Sequence, residues 1–110
     1  MNTAFTLIKA AVAPIEAYPD HIPAKKSAYV TYNIADDRGK VFADDTATER
    51  VQAVQVHYYC PQGTNYLATL KAIRDGLVAQ GFTYPTVQVL YETDTNSHHL
   101  IFECEIELEA

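Results

Sequence analysis

Near the C-terminus, eight consecutive residues alternate strictly between apolar and acidic: Phe102, Glu103, Cys104, Glu105, Ile106, Glu107, Leu108 and Glu109. An extended strand sorts a period-two pattern onto two opposite faces. The pattern therefore commits this segment to a half-buried strand, with one face dry and one wet. Any fold for the chain has to supply a layer that covers the apolar side.

The rest of the chain supplies that layer and more strands. Phe5, Ile8, Val12 and Ile15 recur at helical spacing in an alanine-rich segment, which predicts a helix over Asn2 to Ala13. Thr3 is its candidate N-cap, and Pro14 ends it. The prolines at 19 and 23 make residues 18–23 an irregular connector. Ser27 to Ile34 reads as a strand, followed by a turn at Asp36-Asp37-Arg38-Gly39. Residues 40–43 read as a short strand or as part of a long hairpin arm, a candidate flexible arm over about 35–48. Arg50 to Tyr59 is the strongest strand, with Gln52, Val54, Val56 and Tyr58 on one face. Thr64 or Asn65 caps a helix at about 64–80, and Gly81 closes it. Its stripe is Leu67, Leu70, Ile73 or Arg74, Leu77 and Val78. Gly76 inside that helix marks either a close packing contact or a tolerated cost. Tyr84 to Thr93 and His98 to Glu109 complete a hairpin around the polar turn 94–97. The expected class is α+β: a mainly antiparallel sheet of about four to five strands packed against two helices, in a single domain of 110 residues.

Composition narrows the function. Eight basic against fourteen acidic residues give a net charge of -6, which disfavours a grip on nucleic acid by counterion replacement. No signal peptide or membrane-length apolar run is evident in the sequence. Cys60 and Cys104 are too few for a disulfide scaffold and read as reduced thiols, Cys104 as a small core hydrophobe.

The candidate sites follow from the pattern. Glu103, Glu105, Glu107 and Glu109 share one strand face, either as a solvated face that blunts edge pairing or as an acidic channel or docking surface. Asp36, Asp37, Arg38, Asp44 and Asp45 flank the hairpin arm and form a candidate inter-subunit arm; their spacing does not match a calcium loop. His98 and His99 point to opposite faces, His57 lies on another strand, and His21 lies in the connector. No spacing supports a metal site or cofactor site, and no phosphate loop, nucleophile elbow or dinucleotide fingerprint is present. The expectation is therefore no catalytic residues, no cofactor and no enzyme activity. Eight tyrosines without tryptophan suit sheet packing, with the surplus suited to subunit contact.

Several segments together resemble a known family: the connector Tyr18-Pro19-Asp20-His21-Ile22-Pro23 with Tyr29-Val30-Thr31-Tyr32, the strand Val51 to Tyr59, the amphipathic helix ending Gln80-Gly81-Phe82, and the hairpin Tyr91 to Thr95 with His98 to Glu103. The chain resembles the tail-terminator, or tail-completion, proteins of long-tailed phages over roughly residues 15 to 108. The resemblance implies a non-enzymatic virion protein made in the host cytoplasm. It would assemble with itself into a ring, typically a hexamer, on the end of the tail tube. There it would stop tube growth and dock the head connector, while DNA passes through without specific binding. A second reading from the same order of elements is another head–tail connector or neck component. A small cytoplasmic binding module or enzyme is a third.

Overall fold

The computed structural model describes residues 4–15, 17–19, 28–43, 46–93 and 96–109. Helix α1 (Ala4–Val12) is followed by strands β1 (Ala17–Pro19), β2 (Tyr29–Ala43) and β3 (Thr46–Pro61), helix α2 (Leu67–Ala79), and strands β4 (Thr86–Glu92) and β5 (Ser97–Glu109). The five strands form one sheet in the order β1-β2-β3-β5-β4. All pairings are antiparallel except β1 with β2. The fold is α+β, as the element order predicts.

Both helices lie against one face of the sheet. Ala4, Ile8 and Val12 of α1 and Ile73 and Leu77 of α2 join Val30, Tyr32, Val54, Val56, Tyr58, Leu100, Phe102 and Cys104 in a single core cluster. The ring of Phe5 meets Tyr32 edge-on at 4.7 Å, a favoured aromatic geometry. Gly76 resolves in favour of close packing: a Cβ there would collide with the backbone carbonyl of Ala11. The absence of a side chain lets α2 lie directly on α1. Asn65 Oδ1 accepts a hydrogen bond from the Leu67 amide at 3.2 Å and so satisfies one free donor of the first turn. At the other end, Gly81 takes φ +100°. The Phe82 amide bonds to Leu77 O and the Gly81 amide to Val78 O, both at 3.1 Å. This pair of bonds is the Schellman closure, and Phe82 is buried beside it.

Several expectations are corrected. Residues 36–39 form no turn. They continue β2, which pairs with β3 as far as Ala43↔Thr46. An irregularity between Ile34 and Asp36 inserts Ala35, and this extra residue lets the polar run stay in the ladder. The start of the connector is a strand and not irregular, since Ala17–Pro19 pairs in parallel with Val30–Tyr32. On α2 the apolar stripe is narrower than its sequence, with Leu67 and Val78 exposed. Tyr84 precedes β4 instead of lying within it and is exposed. The candidate cap Thr3, most of the connector, His21, Asp44, Asp45, Asp94 and Thr95 lie outside the described residues.

The molecule is long for its mass. Its radius of gyration is 15.1 Å and its extents are 54 × 24 × 23 Å, against about 13 Å for a compact chain of this size. The cause is the β2–β3 hairpin, whose strands have 15 and 16 residues and span about 50 Å at roughly 3.3 Å per residue. Strand β5 accompanies β3 only as far as Glu49↔Glu109. Beyond that pair the described hairpin is two-stranded.

Candidate functional site

With both helices on one side, the opposite sheet face presents every second residue of β2, β3, β5 and β4 outward. Register brings these residues into rows. One row is Tyr29, Tyr59, His99 and Leu90; the next is Thr31, His57, Ile101 and Gln88; the third is Asn33, Gln55, Glu103 and Thr86. No described helix or strand packs over these rows.

Glu103, Glu105 and Glu107 share this face as expected, but they are not a uniform acidic stripe. Glu103 and Glu107 are exposed, while Glu105 is half-buried. Arg38 donates to Glu105 at 3.2 Å and to Asp36 at 2.9 Å. Asp36 and then Glu105 hold the Arg38 guanidinium above its ordinary range. A cation two strands away therefore offsets the repulsion that four alternating carboxylates would build up. The Glu109 side chain lies outside the description. Of the proposed arm residues, Asp36 and Asp37 point to opposite faces. Asp37 faces the helix side, accepting from Gln52 at 3.0 Å and lying 3.3 Å from Arg50 Nε. That contact explains a polar Gln52 on a buried face.

Sequence reasoning missed the histidines' meeting. It placed His57 and His99 on separate strands with no shared role. Register sets them side by side on the open face, with His57 Nδ1 2.8 Å from His99 Nε2. Their outer nitrogens are held too. His57 Nε2 lies 3.2 Å from Asn33 Oδ1, and His99 Nδ1 lies 3.4 Å from Glu92 Oε2. Asn33 Nδ2 in turn reaches Gln55 Oε1 at 3.4 Å. A continuous polar chain therefore crosses the sheet from β4 to β2. The available signal was positional: both histidines fall on the wet face of their own strands, and the β3–β5 register decides whether they touch.

An aromatic stack shields this chain. Tyr29 stacks on Tyr59 with centroids 4.7 Å apart, and Tyr59 stacks on His99 at 4.2 Å. His99 and Thr31 are consequently buried although no described helix covers their face. Burial pushes His57 below its ordinary value, His99 adds to that, and Glu103 opposes it. Burial likewise lowers His99, against the pull of Glu92. Desolvation disfavours the imidazolium, whereas a nearby carboxylate favours it.

The cysteines lie on the helix side, both free and buried. Burial pushes the Cys104 thiol up to about 12 and raises Cys60 as well. At neutral pH both are held as thiols, so neither is an activated nucleophile. Among the described residues, no three His, Cys, Asp or Glu side chains converge to hold a metal ion, and no helix is long and apolar enough to cross a membrane. No protein-family model and no curated protein sequence matches this chain.

Proposed function

We propose that the chain is a structural virion protein of the tail-terminator type, a ring subunit that caps the tail tube, ends its growth and offers a docking surface to the head connector. The observation that carries this reading is the pair of unlike surfaces at the two sides of the sheet. On one side β4 is an edge strand with Val89, Leu90 and Tyr91 exposed in succession. On the other, the β2–β3 hairpin runs on past the end of β5. A ring requires heterologous contact between two different patches of each subunit. An apolar open edge and a projecting ribbon are a suitable pair, because an exposed edge is a template for pairing. The exposed tyrosines Tyr84 and Tyr91 add contact area of the type enriched at interfaces. In this reading Glu103, Glu105, Glu107 and Glu109 line the channel or a charged docking surface, and Asp36, Asp37, Arg38, Asp44 and Asp45 belong to the inter-subunit arm. The net charge of -6 lets DNA pass without adhering.

The test is light scattering after size exclusion over a concentration series, with and without tail tubes. A ring that forms on tubes is the expected result. A fixed dimer indifferent to tubes overturns the reading in favour of a small binding module, and binding to portal-side rings alone favours a neck component. Replacing the four glutamates with glutamine should impair assembly or infectivity. Unchanged assembly and infectivity would remove the acidic surface from the proposal.

A further inference from the structure

The chain Glu92, His99, His57, Asn33 and Gln55 spans four strands, and neither core packing nor ring assembly requires it. Its chemistry is constrained link by link. A carboxylate only accepts, so the Glu92 contact calls for hydrogen on His99 Nδ1. If His99 is neutral, its Nε2 is bare and must accept from His57 Nδ1–H. A neutral His57 is then bare at Nε2 and needs a donor, so Asn33 presents its NH2 there and its oxygen to Gln55. Every donor in this state points toward Glu92.

One added proton reverses the middle of the chain. His99 now carries hydrogen on both nitrogens, and its Nε2–H donates to a bare His57 Nδ1. His57 holds its single hydrogen on Nε2 and donates to Asn33 Oδ1, while Asn33 Nδ2 donates to Gln55 Oε1. That is the amide orientation in the structure. The balance is one proton gained, one ring hydrogen moved across the pair and two amides turned by a half rotation, with the rings in place. A second proton is excluded while the pair holds, since both facing nitrogens would carry hydrogen across 2.8 Å.

We propose that these five side chains form a one-proton switch on the open face of the sheet, in which protonation of His99 forces His57 to exchange its neutral tautomer and Asn33 and Gln55 to turn their amides. The charged and titratable groups facing the pair come from every strand involved: Glu92 from β4, Glu103 from β5, Tyr59 from β3 and Tyr29 from β2. The two carboxylates favour the cation, and the Tyr59 ring stacked on His99 accommodates it. The switch changes the charge of a face that otherwise carries Glu103, Glu105 and Glu107. It does not depend on the ring reading.

The experiment is ring-nitrogen NMR of the nitrogen-15-labelled full chain from about pH 8 to about pH 4.5, the histidine range. The expected result is one shared step below the ordinary histidine value. His99 becomes imidazolium, while His57 stays neutral and passes from the Nδ1–H to the Nε2–H form. Two independent steps, an imidazolium at His57 before global unfolding, or a single His57 tautomer throughout would each overturn the proposal. In Glu92→Gln, at a half-exposed edge position, the midpoint should fall by about one pH unit; an unmoved midpoint overturns the Glu92 link. In Asn33→Ala, with a folded amide spectrum, the tautomer exchange should be lost, and its persistence overturns the Asn33 link.

Discussion

The two faces of the sheet are built from the same strands, yet they are held by different physics. On the helix side, Val56, Leu100 and Phe102 are fully buried against α1 and α2, and the stabilisation comes from apolar area removed from water. On the open side, side chains shield one another. The Tyr29–Tyr59–His99 stack covers a polar chain whose every link must find a partner. The helix face is tolerant of chemistry and strict about volume. The open face is tolerant of volume and strict about where each hydrogen lies.

The comparison breaks most sharply on the helix side. Phe102→Ala empties the centre of the core and should cost about 3–5 kcal/mol, read as a lower urea midpoint at unchanged slope. Gly76→Ala is next. Overpacking typically costs about 1–3 kcal/mol, set against a helix-propensity gain of about 1 kcal/mol. Because the obstacle is the Ala11 backbone, the variant should be less stable than the parent; a more stable variant would show that the helices can separate freely.

The open face should respond to pH instead. The folded chain holds His57 and His99 below their ordinary value, so under mild acid the unfolded chain binds more protons. Their contribution to stability is complete above about pH 6.5 and falls as the pH drops through the lowered values. Thermal melts from pH 7 downward should show this loss, and His57→Gln should flatten it. The cysteines sharpen the contrast from the other side. Native protein at pH 8 should take up no thiol reagent, and denatured protein should take up two equivalents, because Cys60 and Cys104 are both buried. The smallest effect belongs to Arg38→Gln. Its ion pairs are half-exposed, so the melting midpoint should hardly move, whereas adhesion of the acidic face to polycations should rise.

How far the sequence could be read depended on the range of the interactions. Helix α2, its Gly81 closure and the β4–β5 hairpin were legible because period, capping and turn chemistry act within a few residues. The alternation from Phe102 to Leu108 places Phe102, Cys104 and Ile106 in the core as expected. The run 36–39 misled because Asp, Asp and Gly are turn formers by local preference. Pairing with β3 outweighed that preference once Ala35 had taken up the misfit in register. Leu67 and Val78 misled in the opposite way: helical spacing gives a stripe, but the width of the contact with α1 and the sheet decides which part of it is covered.

By itself, then, the sequence determined the α+β class, both helices and the buried faces of β3 and β5, since hydrophobic period and turn chemistry are local properties. Only the tertiary structure decided that His57 meets His99, that Arg38 answers Glu105 and that Gly76 rests on Ala11. Each of these contacts joins residues distant in the chain, and a shift of one residue in register would turn the same side chains to the opposite face.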